Sequence, residues 1–252
     1  MPTDLTPSRW VEFAEIDNAR DLGGLPVSGG GTTRFGVVYR SSTPQQLSEA
    51  DLAYLLGPVG LRTLVDLRTP VEVAREGYGR LAKSAVRLVN LPVCKAASTA
   101  APSELVPDAR RFDLCELYHE LLTGSAASVV SAARLIADTT QHAVVFHCAA
   151  GKDRTGILAA ILLDAVGVPA EAIVADYALT AERIVRLRTR LDTLHSYRGL
   201  PPARTGILAV DPAPMRRFVA DLHALHGGAA RWLRTNGLTD AELTALRRTM
   251  LA

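Results

Sequence analysis

Cysteine is scarce: Cys94, Cys115 and Cys148 are the only three in 252 residues. An odd number, far below the density of a disulfide scaffold, points to a reducing compartment and to three free thiols. An excess of charge of either sign is also missing. With 28 basic against 26 acidic residues and a net charge of +2, the chain has no broad field for gripping a nucleic-acid backbone, and nucleic acid is not expected as a partner. Long apolar runs are absent too. The longest, Ile157 to Val168, is interrupted by Asp164 and Gly167 and is too short to cross a bilayer, so no membrane span is expected. Residues 1 to 10 contain two prolines and no apolar stretch, so they do not read as a secretory signal, and the cytoplasm is the expected address. Lysine is nearly missing: only Lys83, Lys95 and Lys152 among the 28 basic residues. A lysine at a chemically informative place therefore stands out.

What is present suits one α/β domain over residues 1–252, with 48% hydrophobic residues to build a core. Phe35–Arg40, Leu61–Arg68, Val86–Val93 and Ala143–His147 read as strands, the last apolar enough to be buried on both faces. Helical patterns fall between and after them, at 48–56, 108–122, 126–137, 155–166, 170–194, 212–225, 229–235 and 240–250. Three of these have marked starts: Ser48 as N-cap, Asp211-Pro212 as N-cap and first helical residue, and Thr239-x-x-Glu242 as a capping box. Strands alternating with helices predict a central, mostly parallel sheet flanked by helices. The Ala/Ser/Pro-rich stretch from Lys95 to Pro107 reads as a loop or linker. Gly29–Gly31 reads as hairpin punctuation, since no Lys-Ser/Thr follows it.

The chemistry concentrates in His147-Cys-Ala-Ala-Gly-Lys-Asp-Arg-Thr-Gly156, between the most apolar strand and a helix start. Such a loop turns successive backbone N–H groups into one concavity and adds the positive end of a helix, which makes a seat for a tetrahedral oxyanion. The expected phosphate-binding residues are Ala149, Ala150, Gly151, Lys152, Asp153 and Arg154. The Arg154 fork can hold two phosphoryl oxygens. Cys148 enters the same cradle, whose donors favour a thiolate and hence a nucleophile. A buried core cysteine is the bland alternative, and the spacing of the segment speaks against it.

Cys-x5-Arg after an apolar strand resembles the signature loop of cysteine-dependent protein tyrosine and dual-specificity phosphatases. With Lys152-Asp153 inside the loop, and Asn18-Ala-Arg-Asp-Leu-Gly-Gly24, Tyr39-Arg-Ser41 and Val65-Asp-Leu-Arg68 upstream, the chain is similar to the bacterial branch typified by mycobacterial protein tyrosine phosphatase B. The resemblance implies a phosphatase that hydrolyses phosphotyrosine monoesters through a phosphocysteine intermediate, on phosphotyrosine proteins as partners. It needs no metal or cofactor. By the same resemblance Thr155 bonds the Cys148 sulfur, His147 orients the loop from behind, and helices from about 170–235 form a lid. Export without a conventional signal is also known in that branch.

The Trp-Pro-Asp loop that carries the general acid in many tyrosine phosphatases is absent. Asp153 and Asp66 compete for the role, with Asp153 favoured by the resemblance and an ion pair to Arg68 the structural alternative for Asp66. Lys152 resembles a position in inositol-lipid phosphatases, and as a second cation it suggests phosphoinositides as further substrates, beside phosphoserine and phosphothreonine. Arg183, Arg186, Arg188 and Arg190 read either as a solvated face or as an electropositive cover for an anionic substrate. Two rival functions share the cradle: a rhodanese-type sulfurtransferase and a catalytically inactive phosphopeptide-binding module. The sequence assigns no oligomeric state.

Overall fold

The computed structural model describes residues 8–95 and 113–252. The expected linker beyond Lys95 and the start of the helix expected at 108 lie outside the described residues.

Five strands form one sheet: β1 (Arg20–Asp21), β2 (Val38–Ser41), β3 (Thr63–Asp66), β4 (Arg87–Asn90) and β5 (Val144–His147). Their order is β1-β2-β5-β3-β4. Only the edge pair β1-β2 is antiparallel, and the other three pairings are parallel. The sheet is thus mostly parallel, as expected. Central β5 pairs on both sides, so all its backbone groups are spent in the sheet and its Val-Val-Phe-His side chains are all buried. That is the burial expected of a strand covered on both faces.

Helices α1 (Glu49–Leu56), α2 (Pro70–Glu76), α3 (Leu114–Gly124), α4 (Ala126–Ala137), α5 (Asp153–Val166), α6 (Ala170–Ala178), α7 (Ile184–Asp192), α8 (Pro212–His226), α9 (Ala229–Thr235) and α10 (Asp240–Met250) flank the sheet. The three expected caps are all formed: Ser48 and Thr239 head reciprocal capping boxes, and the Asp211 side chain accepts from the Ala213 N–H with Pro212 as first residue. Helix α5 is buried nearly all round. It runs through the main core, against Tyr177 of α6, Phe218 of α8 and Leu233 of α9. Among the described residues no single helix is long and apolar enough to cross a membrane.

One element was not expected and one expectation is corrected. Helix α2 follows β3: Thr69 and Glu72 form a capping box, and proline takes the first helical position, where its missing N–H costs nothing. The single helix expected at 170–194 is two. A short 3₁₀ turn at Leu179–Glu182 separates α6 from α7. The break has a packing cause. Ile173, Val174 and Tyr177 enter the main core, whereas Ile184, Leu187 and Leu191 pack in a separate cluster on Ala149 and Ala150 of the loop.

Candidate active site

The loop from Cys148 to Lys152 leaves the carboxyl end of β5 and enters α5 directly, the sheet edge at which α/β folds gather ligands. Its shape is imposed from behind. Asn18 donates through Nδ2 to the carbonyls of Ala150 (3.1 Å) and Gly151 (3.0 Å), and Arg40 donates to Gly151 at 2.8 Å. The Thr43 N–H holds the Ala149 carbonyl at 3.0 Å. In a trans peptide N–H and C=O point in opposite directions. With three carbonyls drawn to the body of the protein, the N–H groups of Ala150, Gly151 and Lys152 turn the other way, toward the concavity. Gly151 has φ of +66°, and a Cβ there would lie 2.4 Å from the Ser41 carbonyl oxygen, so only glycine fits.

Arg40 is itself held by Asp176 of α6 at 2.7 Å, as are Arg20 at 3.1 Å and Arg9. Burial alone would raise the Asp176 pKa, but these guanidinium groups hold it well below the usual carboxylate range. The Asn18-Ala-Arg-Asp segment and Tyr39-Arg40 thus act as the loop's scaffold. Their separation from the loop, 132–133 residues for Asn18 and 111 for Arg40, hides that role in the sequence.

Arg154 takes a partner that sequence reasoning missed. Both guanidinium nitrogens donate to Glu72 of α2, at 2.7 and 2.9 Å. Glu72 is fully buried; its Oε2 also accepts from the Thr69 N–H, and its Oε1 from the Tyr197 hydroxyl at 3.0 Å. Burial opposes charge on both members, yet the pairing outweighs it: Glu72 is held below and Arg154 well above its ordinary value. The visible signal was Thr69-Pro-Val-Glu72, a capping box whose acid does a second job.

Asp153, the first residue of α5, lines the same pocket as Cys148 and Arg154. Its Oδ1 accepts from the Lys152 ammonium at 2.7 Å and from the Tyr118 hydroxyl of α3 at 2.7 Å. The Tyr177 hydroxyl accepts from Lys152 at 3.1 Å and lies 2.9 Å from Tyr118. Since Tyr118 spends its proton on Asp153, Tyr177 must donate to Tyr118. The result is a closed ring of four side chains, with Lys152, Tyr118 and Tyr177 buried and Asp153 partly exposed, that fixes the carboxylate through Oδ1. Lys152, expected as a second cation for substrate, has its side chain fully buried and turned into this ring. Despite burial, the Asp153 charge beside it holds it protonated.

Asp66, the other candidate acid, sits apart from this ring. It is fully buried at the end of β3, bound by Arg68 through both oxygens at 2.7–3.0 Å, and lies outside the pocket lining. The structural ion pair is the observed arrangement. His147 is wholly buried, and its Nδ1 donates to the Cys148 carbonyl at 2.9 Å, since a carbonyl can only accept. Burial brings its pKa down to about 4, so the ring is neutral. Thr155 is buried, but its hydroxyl has no hydrogen-bond partner, and the expected bond to the Cys148 sulfur is not formed.

The pocket over Cys148 has a volume of about 120 Å³. Beyond the loop its walls are mainly apolar, with Val93, Leu117, Leu121, Leu191, Leu200 and Leu208 among them. The last three come from α7 and the segment after it, so only about 184–210 of the expected 170–235 lid covers the site; α6, α8 and α9 belong to the main core. Cys148 is 3% exposed. The four arginines of the cover point elsewhere. Arg186 and Arg190 pair with buried Asp17 at 2.6 and 2.7 Å, Arg183 pairs with Glu12, and Arg188 pairs with Asp192 at 3.0 Å. Arg183, Arg186 and Arg190 latch α7 to residues 12–17, while Arg188 stays with α7 and the carbonyls of Leu200 and Pro201. All three cysteines are free thiols.

The tyrosine phosphatase family matches residues 11–252 of this chain. The chain belongs to the tyrosine phosphatase family. It is similar to a chain named as a tyrosine-protein phosphatase in Cupriavidus necator, at 31% identity over 89% of this chain and 82% of that one. It is also similar to the triple specificity protein phosphatase PtpB of Mycobacterium tuberculosis, at 28% identity over 86% of this chain and 92% of the other. Among solved structures, the catalytic domain of the PP-IP phosphatase SIW14 from S. cerevisiae aligns at 17% identity with a TM-score of 0.37, over 62% of this chain and 77% of that one. Membership in this family makes the protein a phosphatase of a metal-independent hydrolase class.

Proposed function

We propose that this tyrosine phosphatase hydrolyses aryl phosphate monoesters, phosphotyrosine foremost, with Cys148 as nucleophile, Arg154 as phosphoryl clamp and Asp153 as general acid and base. The observation that carries the reading is the pairing of a preset Arg154 fork with Cys148 on the floor of an apolar pocket that has one carboxylate, Asp153, at its wall. In the first step the Cys148 thiolate attacks phosphorus, the S–P bond forms, and the P–O bond to the phenol breaks. Asp153 enters this step in its protonated form, the proton having been taken up from solvent, and gives that proton to the leaving oxygen. In the second step water attacks phosphorus, Asp153 takes the proton back, and the S–P bond breaks to release inorganic phosphate. Backbone N–H groups and the guanidinium stabilise the charge on the equatorial oxygens in both steps.

The leucine-rich walls suit an aromatic ring better than a multiply charged inositol, so phosphoinositides rank behind phosphotyrosine in this reading. The test compares kcat/KM for a phosphotyrosine peptide, a phosphoserine peptide and a micellar phosphoinositide, each with EDTA present. The reading expects the phosphotyrosine peptide to lead in chelator-resistant turnover. A phosphoinositide preference, or no turnover of any of the three by folded, reduced protein, would overturn it.

A further inference from the structure

Away from the catalytic loop, Cys115 and His119 stand one turn apart on α3 and meet Asp221 of α8. Residues four apart share one helix face, so both side chains of α3 reach the same point. The Asp221 Oδ2 lies 3.7 Å from the Cys115 sulfur and 3.1 Å from the His119 Nε2, and all three donor atoms fall within 4.8 Å of one another. Zinc bonds of about 2.3 Å to sulfur and about 2.0–2.1 Å to nitrogen and oxygen, at tetrahedral angles, place sulfur and oxygen about 3.5 Å apart and nitrogen and oxygen about 3.3 Å apart. Both observed separations are within a few tenths of an ångström of those values.

The surroundings fit a cation as well. Arg217, one turn before Asp221, is drawn off by Asp113 at 3.0 Å. The His119 ring is steadied against Phe218, with ring centroids 5.3 Å apart. Cys115 is buried, while His119 and Asp221 are partly exposed at 28% and 44%, so the cluster is anchored on one side and open to water on the other.

We propose that Cys115, His119 and Asp221 form a binding site for Zn²⁺, or a divalent ion of the same borderline-soft class, with water in the fourth position. Cys115 binds as thiolate and releases its proton to solvent. The ion ties α3 to α8 and takes no part in phosphoryl transfer.

The test uses the full chain carrying Cys94→Ser and Cys148→Ser, so that Cys115 is the only thiol, with Co²⁺ as a spectroscopic probe. The expected result is a thiolate-to-cobalt charge-transfer band with visible d–d bands of tetrahedral intensity, saturating at one equivalent, and a rise in Tm with Zn²⁺. Both signals are expected to vanish in the same background with Cys115→Ser or with His119→Ala. His119 is partly exposed, which keeps its substitution informative if the cysteine change harms folding. A parent protein that stays folded with excess Co²⁺ but shows no charge-transfer band would overturn the proposal. So would a band that survives either substitution.

Discussion

Glu72→Gln isolates what orientation of Arg154 contributes. The carboxylate makes two charge-assisted bonds to the guanidinium, at 2.7 and 2.9 Å. Glutamine is nearly the same shape and keeps one acceptor, but it turns an N–H toward the other guanidinium nitrogen. Hydrogen bonds to charged groups contribute about 1.5–3 kcal/mol each. If about 2–3 kcal/mol of that preorganisation is lost in the transition state, the rate falls about 30- to 150-fold. Ground-state binding follows a different rule, because the substitution also removes a negative charge near the phosphate seat. KM is therefore expected to stay level or fall while kcat drops. Steady-state kinetics on p-nitrophenyl phosphate and a phosphotyrosine peptide read this split. Thermal unfolding by circular dichroism runs beside them, since taking one partner from a buried pair costs about 3–5 kcal/mol of stability. Inorganic phosphate should raise the Tm of the variant more than that of the wild type by supplying the missing anion. A folded Glu72→Gln protein with kcat within threefold of wild type would refute the reasoning.

Three further outcomes follow from named contacts. If the buried ring sets the acid's position, Tyr118→Phe should imitate Asp153→Asn: activity falls about tenfold or more on phenyl phosphates with poor leaving groups and changes little on activated esters. The two substitutions together should cost no more than Asp153→Asn alone, and additive losses would contradict the ring's role. His147 titrates near 6.5 when unfolded and at about 4 when folded, so the unfolded chain takes up its proton first as pH falls, and about 3 kcal/mol of stability is lost between those values. Urea titrations of wild type and His147→Asn should differ in pH dependence by roughly that amount across this window and run parallel above pH 7; parallel curves throughout would count against it. The latch rests on Asp17, and partly exposed ion pairs contribute about 0.2–1 kcal/mol each, so Asp17→Asn should speed alkylation of Cys148 by iodoacetamide several-fold. An unchanged rate would mean that the ion pairs do not hold α7 over the site.

Much of this architecture was legible locally. The β5 strand, the loop and the start of α5 announce themselves through a short apolar run followed by Cys-x5-Arg, and the caps at Ser48, Asp211 and Thr239 mark helix starts that form as expected. What stayed hidden depends on contacts between distant residues. Asn18 and Arg40 shape a loop more than a hundred residues away, and neither spacing nor composition marks such a partner. Thr69-Pro70 reads equally as the end of a strand and the start of a helix, and taking the first meaning conceals Glu72. Leu179–Glu182 contains no glycine or proline, so the break between α6 and α7 comes from packing on two separate clusters. The rarity of lysine made Lys152 conspicuous, but only the geometry shows that its ammonium pairs with Asp153.

The most direct test of the central claim is to trap the covalent intermediate. The enzyme is mixed with a ³²P-labelled phosphotyrosine peptide, quenched in acid within milliseconds and digested. Label on the peptide that contains Cys148, absent from Cys148→Ser, is the predicted result. Label on another residue, or full-rate turnover by Cys148→Ser with no labelled protein, would contradict the account.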